Sequence, residues 1–456
     1  MRIRLVFVLP LIVVALLGCG IIQRFGEPRY YALSISSDQP ISVSNLNRYD
    51  WFFGAGSESV SPIAIMAEAG DLLRISVEDS VWFYYRYDPR DGQQLSFTIT
   101  VDSDDPLKAH LNGRLISLGI YDNPGVWKWI EECDLHSLQH LRSVHFFFFE
   151  DKQASLDLNL VQKIADARPN IGLFLGDIYY DPVEIQSEII TLFKPSWLIT
   201  CGPLDFNEAA ISRLSKLECL YVLEPGHTRF IEELPKLETL ILHTDDDAED
   251  IQFDKLRNLR SLTLIESIDI NNLETFNNKN RLRNLFLIGC EVDDISPIRA
   301  LAYLTGLGFF YCEGAIDLSE LQNLSRLRWF SFPPDVNQSE FSRFLSQHPK
   351  LEVVDLLGCE EIDDLSPLAQ LTEIQGLTLD VVVGDLSPLY QLTDLEVLIL
   401  DEDSVDEDEY EDLQASLPDT QIVINSGGCL GSGWILLMIP VTAAASLIIR
   451  LVRRKS

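Results

Sequence analysis

A recurrence constrains this chain more than any other feature. Leu282-Arg-Asn-Leu285-Phe-Leu287-Ile-Gly-Cys290 runs into Val292-Asp-Asp-Ile295-Ser-Pro-Ile298. The same order returns as Leu351-Glu-Val-Val354-Asp-Leu356-Leu-Gly-Cys359 ahead of Ile362-Asp-Asp-Leu365-Ser-Pro-Leu368. A further unit opens with Ile374 and continues through Leu377-Thr-Leu379 to Gly384-Asp-Leu386-Ser-Pro-Leu389. The residue that starts each Leu-x-Leu pair can be followed in both directions. It is Leu118, Val144, Leu173, Leu198, Leu220, Leu240, Leu262, Leu285, Leu307, Phe330, Val354, Leu377, Leu398 and Ile422, at intervals of 20 to 29 residues. A unit of that size holds one short strand, a turn and a return segment. It cannot bury its own leucine face, so stacking on its neighbours is obligatory.

The LxxLxLxxN/C order resembles the leucine-rich repeat, and the Asp-Leu-Ser-Pro-Leu block resembles the bacterial type of about 22 residues found in internalin-like surface proteins. The resemblance implies an α/β leucine-rich repeat solenoid, a horseshoe, over residues 113–425 with about 12–14 repeats. It also implies an interaction module with no activity of its own. Leucines at the first, fourth and sixth positions point inward. The ninth position, held here by Cys290, Cys312 and Cys359, takes a small buried side chain. Cys290 and Cys312 are neighbours in the stack and are either free thiols or an oxidised pair. Ser-Pro turns the chain after the strand, because Pro fixes its φ and disfavours helix before it. The first three units are longer and carry helical-looking insertions such as 158–167. Residues 410–418 read as a short helix leading to a last strand at 421–424.

Residues 26–112 show a different pattern. Stretches at 31–36, 72–77, 82–87 and 95–101 alternate in the manner of strands, and Asp91-Gly92 is a turn signal between two of them. The expectation is a small all-β domain, sandwich-like, preceding the solenoid and abutting its first repeat.

Both ends are apolar. Residues 1–22 read as a signal peptide or an N-terminal membrane anchor, with Arg2 and Arg4 ahead of an apolar run. Leu16-Leu17-Gly18-Cys19 resembles a bacterial lipobox, which implies lipidation at Cys19. The alternatives are an uncleaved anchor and a cleaved signal with an incidental Cys. Residues 427–456 read as a transmembrane segment, with Trp434 to Ile449 uncharged and Arg450, Arg453, Arg454 and Lys455 following. No Lys or Arg lies between Lys350 and Arg450. That asymmetry places the tail in the cytoplasm and the bulk of the chain in the periplasm or outside the cell. Gly427-Gly428, span and basic tail together resemble bacterial Gly-Gly sorting signals. Leu417-Pro-Asp-Thr-Gln421 lacks the Gly that a sortase motif needs.

Charge narrows the function. Asp plus Glu is 70 against 35 Lys plus Arg, a net charge of −35, with a pI of about 4.4. Such a chain is not built to hold a phosphate backbone, and no nucleic-acid partner is expected. The eight Cys include no CxxC pair. His136 and His140 are four apart near His145, but lack the Glu of a zinc protease motif. Two acidic stretches, His243–Asp250 and Asp401–Asp412, read as solvated charge runs without the calcium-loop order. With no Gly-x-Ser-x-Gly and no phosphate-binding loop, no enzyme activity, cofactor or metal is expected.

Recognition is expected on the concave sheet. The positions between and just after the paired leucines flank the inward residues, and in the units from Val144 to Leu307 many are aromatic or aliphatic. Phe147, Phe174, Ile199, Tyr221, Ile241, Phe286 and Phe310 form the candidate partner-binding stripe. Apolar side chains in that number on a solvated face mark a protein or peptide site. The alternative is that a loop or the preceding β region covers the stripe. The expected function is an exported, membrane-anchored repeat protein that binds a protein or peptide partner. A structural or adhesive component of the cell envelope without a discrete ligand is the other reading.

Overall fold

The computed structural model describes residues 30–425 apart from 38–40, 46–62, 78–80, 101–105, 122–123, 148–156, 177–182, 202–207, 224–228, 244–251, 266–280, 293, 315, 380–384 and 402–404. The segments 1–22 and 427–456, with Cys19, lie outside the described residues. No helix among the described residues is long and apolar enough to cross a membrane.

Among the described residues the N-terminal part holds eight strands: β1 (Tyr30–Ser37), β2 (Ile41–Asn45), β3 (Ile63–Glu68), β4 (Leu72–Val77), β5 (Val81–Arg86), β6 (Gln94–Thr100), β7 (Leu107–Leu111) and β8 (Arg114–Tyr121). They form two layers. One is the antiparallel set β2–β4–β5. The other runs β3–β1–β6–β7–β8. Leu33, Ile35, Ile65, Ile75, Phe83 and Phe97 are among the side chains buried between them. Asp91-Gly92 does form a turn, a 3-10 segment at Pro89–Asp91 followed by Gly92 at φ 86°. It carries the chain from one layer to the other, since β5 pairs with β4 and β6 with β1 and β7. The tight hairpin lies at Asn112-Gly113, both at positive φ, joining β7 to β8 with Leu111 opposite Arg114. Two such residues suit the twist of a two-residue hairpin.

β8 then pairs in parallel with β9 (Ser143–Phe147), so the N-terminal layer runs straight into the repeats. From β9 every ladder is parallel, ending at the last strand, β21 (Gln421–Asn425), within one 18-stranded sheet. Leu118 faces Val144, Val144 faces Leu173, and Leu173 faces Leu198. The register continues through Leu220, Leu240, Leu262, Leu285 and Leu307. It passes to Phe330, Val354, Leu377, Leu398 and Ile422 without a slip. A one-residue slip would send each leucine to the other face, so the buried face fixes the register. Those leucines share one continuous core. This is a leucine-rich repeat solenoid.

Spacing decides the return segment. Units of 24 residues or more carry a helix of nine or ten residues. These are α1 (Pro124–Glu132), α2 (Leu158–Ala167), α3 (Val183–Leu192), α5 (Gln338–Gln347) and α6 (Glu407–Ser416), while α4 (Glu208–Arg213) is shorter. In the Ser-Pro units the return is a 3-10 turn, as at Ser366–Gln370 and Ser387–Gln391. The Asp of the block has its own part. Asp364 accepts from the Ser366 backbone and hydroxyl at 2.8 Å each, and Asp294 and Asp385 accept from Ser296 and Ser387. Such a turn closes on its own side chain and saves backbone groups from lying unpaired. These hydrogen bonds to Ser hold all three carboxyls below their ordinary pKa.

Cys290, Cys312 and Cys359 are buried free thiols. Each sulfur lies against a backbone carbonyl of the preceding unit, Leu264, Leu287 and Pro333 respectively, at 3.4–3.6 Å. The acidic run that begins at Asp401 is partly structural. Asp406 caps α6 and forms a reciprocal box with Glu409, where carboxylates sit well against the positive helix end.

Candidate functional site

Along each solenoid strand alternate side chains point into the repeat core and across the concavity. The stripe expected from the sequence lies on the concave side, but it does not face water. Phe174, Ile199, Tyr221, Ile241 and Phe286 are at most 2% exposed and Phe310 is 4% exposed. Phe147 is half-buried against the same cluster. The expectation of a solvent-facing stripe is corrected here. The cause is that the N-terminal strands lie across the concavity and add Met66, Leu72 and Tyr84 to the same apolar cluster, with Ala32 at its margin.

The fit is close. The Tyr84 ring lies 5.1 Å from that of Phe174 and is stacked on the imidazole of His145 at 5.8 Å. Phe147 and Phe174 are 5.6 Å apart, and Phe286 meets Phe310 at 6.1 Å and Trp329 edge-on at 6.3 Å. Small residues make the room. A Cβ on Gly376 would stand 2.9 Å from Cγ of Met66, so the cover approaches the backbone of that strand directly. A Cβ on Gly172 would stand 1.7 Å from the Trp197 indole, which occupies that space.

Polar contacts set the cover's position. Arg86 Nη1 lies 2.9 Å from Glu218 Oε2, and Asn284 Nδ2 donates to Glu68 Oε2 at 3.1 Å. Asp91 receives both guanidinium nitrogens of Arg142 and the Tyr85 hydroxyl. Burial and the hydrogen bond to Asp91 raise the Tyr85 phenol above its usual pKa, while the bonds from Arg142 and Tyr85 hold Asp91 low despite its partial burial. Beside this seam lies an open cavity of about 790 Å³, lined in part by Arg86, Arg90, Arg114 and Arg142. Three of these guanidiniums are already met by Glu218, Asp88 and Asp91.

His145 stands inside the closed cluster. Its Nε2 is 3.2 Å from Ser143 Oγ, while Nδ1 finds no hydrogen-bond partner among the described residues. Complete burial lowers its pKa to about 3, so the ring is neutral. His136 and His140 do not join it. They lie exposed on the 3-10 segment and turn before β9. Among the described residues no group of three or more His, Cys, Asp or Glu is placed to hold a metal.

Sequence reasoning missed the third concave position, the residue before each pair. Trp197, Cys219, Trp329, Val353 and Val397 occupy it, all buried in the concave cluster. Trp329 Nε1 donates to the buried Asp355 at 2.8 Å. It also missed Met66, Leu72 and Tyr84. Their signal was present: Ile65-Met66, Leu72-Leu73 and Phe83-Tyr84-Tyr85 put apolar residues on both faces of their strands, the mark of a strand covered on two sides.

No family model and no curated protein matches the chain. Among solved structures, an internalin (inlF) of Listeria monocytogenes is similar at 14% identity and a TM-score of 0.37, over 62% of this chain and 86% of that one. A Leptospira interrogans leucine-rich repeat protein is similar at 15% identity and a TM-score of 0.32, over 63% of this chain and 91% of that one. A TLR13–ssRNA13 complex is similar at 14% identity and a TM-score of 0.31, over 68% of this chain and 65% of that one. At these values the repeat assignment rests on the unbroken ladder register and its leucine core.

Proposed function

We propose that this chain is an exported, membrane-anchored leucine-rich repeat scaffold that binds a protein or peptide partner on the surfaces its own N-terminal strands leave open. The observation that carries this reading is the continuous parallel ladder from β8 to β21, a long rigid support whose concave face is already used within the chain. A repeat array of this kind offers partners an extended surface and supplies no reacting group. The apolar ends and the lipobox-like Cys19 support anchoring, with the C-terminal tail cytoplasmic and the repeats outside. On this reading Phe147, Phe174, Ile199, Tyr221, Ile241, Phe286 and Phe310 hold the cover in place and do not touch the partner.

The filled concavity favours a second reading, a structural or adhesive envelope component without a discrete ligand, because the usual recognition face is closed. The first experiment is intact-mass and N-terminal analysis of the protein from its native membrane, with protease accessibility in whole cells and spheroplasts. A lipidated Cys19 and repeats cleaved only from outside support the exported scaffold, and protected repeats would overturn it. In-cell crosslinking from the outer face then separates the two readings. A single partner at fixed stoichiometry favours the scaffold, and only copies of the chain or bulk envelope favour the structural role.

A further inference from the structure

The 35 basic residues of this acidic chain are not evenly spread. Many fall on one edge of the solenoid, where the strands begin. Arg260 and Arg283 stand just before the strands of two successive units, and Arg281 and Arg326 hold the position that Tyr303 holds in the unit between them, with Arg257 and Lys350 flanking the cluster. Tyr303 sits among them. It is one of two large apolar side chains exposed among the described residues, at 38%. The guanidinium of Arg326 lies 4.7 Å from its ring centre and that of Arg283 lies 5.3 Å away.

Among the described residues these charges are only partly compensated, with Glu68 facing Arg283 and Glu238 near Arg260. Arg281 donates to Asn258 and Arg283 to the Tyr303 carbonyl, neither to a carboxylate. Among the described residues, of these four only Arg260 forms an ion pair, with Glu238 at a loose 3.8 Å, while the adjacent Arg328 is paired with Glu352 at 3.1 Å. Burial and the neighbouring Arg326 and Arg260 charges lower the Arg283 pKa. The opposite edge, where the strands end, carries the exposed Glu291, Asp294, Glu313, Asp364 and Asp385. The basic character is local, since Glu218, Glu238, Glu352 and Glu396 stand immediately before their own strands on the same edge, and the cluster covers the units from Arg260 to Arg326.

Two further observations choose the partner. Equivalent positions of neighbouring repeats stand at one height and roughly 5 Å apart, so Arg281, Tyr303 and Arg326 form one row along the edge. The first described residue, Tyr30, also lies near this edge. Tyr30 pairs with Glu68, whose carboxylate meets Asn284, the neighbour of Arg283. Cys19 precedes Tyr30 by eleven residues, a reach of at most about 37 Å.

We propose that this edge is a membrane-docking face, on which Arg260, Arg281, Arg283 and Arg326 meet anionic lipid headgroups and Tyr303 enters the interface. A single acyl chain holds a protein only marginally, and a basic patch supplies the second contact. Aromatic rings flanked by cations suit the headgroup level. The exposed Glu291, Asp294 and Glu313 at the strand ends of the same units are then turned away from the anionic surface. The inference rests on the anchoring reading above.

The test uses the full chain in vesicles of phosphatidylcholine alone or with a quarter phosphatidylglycerol. Flotation after alkaline carbonate reports anchoring. Phenylglyoxal modification, followed peptide by peptide, reports exposure of Arg281 and Arg326 against Arg343 of α5, which is exposed on another face. The expected result is modification slowed about fivefold or more at Arg281 and Arg326 in the anionic vesicles only. About 0.5 M salt should restore the rate, because exposed charges are screened within a few ångströms at that strength. The double variant Tyr303→Ser, Arg326→Glu should lose the protection at Arg281. Flotation with equal rates in both lipids overturns the docking face and leaves anchoring standing. Absence from the floated fraction overturns anchoring and this inference together. Protection by polyglutamate in solution without protection by anionic vesicles assigns the edge to an acidic polypeptide and overturns the lipid assignment.

Discussion

On the strand Asn284–Ile288, Leu285 and Leu287 point into the stacked repeats, while Phe286 and Ile288 point across the concavity. All four are buried. Yet the two faces are buried by different partners. The leucine face is closed by the next repeats along the chain, within about two dozen residues. The phenylalanine face is closed by strands more than 200 residues earlier, as the contact of Glu68 with Asn284 illustrates. Periodicity reports that a face is apolar. It does not report whether the cover is local, distant or a second molecule.

The widest separation between the faces comes from breaking the concave one. Changing Phe174, Tyr221 and Phe286 together to Ser removes three large side chains that are nearly fully buried. Each aromatic truncation in a core costs about 3–5 kcal/mol, and the new hydroxyls add to that. The expected outcome is release of the N-terminal strands, read as lost amide protection across β4 and β5 with dye binding to the bared stripe. Unchanged protection in β4 and β5 would show that the stripe does not hold them. Leu285→Ala breaks the other face. It should cost about 2–5 kcal/mol, with amide protection falling first in the flanking repeats, because a solenoid unit is stabilised by its nearest neighbours. Equal loss across β4 and β5 would mean that the two faces unfold as one unit.

The concave face also differs in holding a titratable ring. With its folded pKa near 3, His145 stays neutral where an unfolded histidine, near 6.5, takes a proton. Protons therefore favour the unfolded chain between those values. This contribution to stability is present above about pH 6.5 and lost as the pH falls toward about 3, at about 1.4 kcal/mol per unit. At about pH 4.5 the loss is about 3 kcal/mol. His145→Phe keeps a ring against Tyr84 and removes the proton, so the melting temperatures of the two proteins should diverge on acidification. Parallel curves between pH 7 and 4.5 would place His145 in contact with water.

Leu285 and its thirteen equivalents were legible in the sequence because each unit repeats its own evidence of a buried position. The helices of the long units were legible where an apolar face recurs, as in α2, whose Val161, Ile164 and Ala165 are buried. The candidate site was legible as a set of residues and misread as a surface. Phe174 and Tyr221 carry no mark of what lies over them, and the pairing of Tyr84 with Phe174 spans ninety residues without a motif. Strands with two apolar faces, Leu72-Leu73 above all, were the available hint. The basic cluster around Tyr303 was hidden by the net charge of −35, since a sum over the chain erases a local excess of the opposite sign.

The smallest effects decide what kind of contact holds the cover. Tyr84 and Phe174 touch inside the closed cluster, so a double-mutant cycle with Leu at both positions should give about 0.5–1.5 kcal/mol of coupling. Arg86 and Glu218 meet at its margin, with side chains 22% and 47% exposed. An ion pair that open is screened by water, and its own cycle with Gln at both positions should give less than about 1 kcal/mol. Salt separates the two. The Arg86–Glu218 coupling should fade at about 0.5 M salt, whereas the aromatic coupling should survive it. That result would assign adhesion to the apolar cluster and alignment to the ion pair, because a charged contact at the margin of an apolar cover penalises a shifted placement more than it strengthens the correct one. A larger and salt-resistant Arg86–Glu218 coupling would reverse the assignment and make the margin, not the stripe, the place where the N-terminal strands are held.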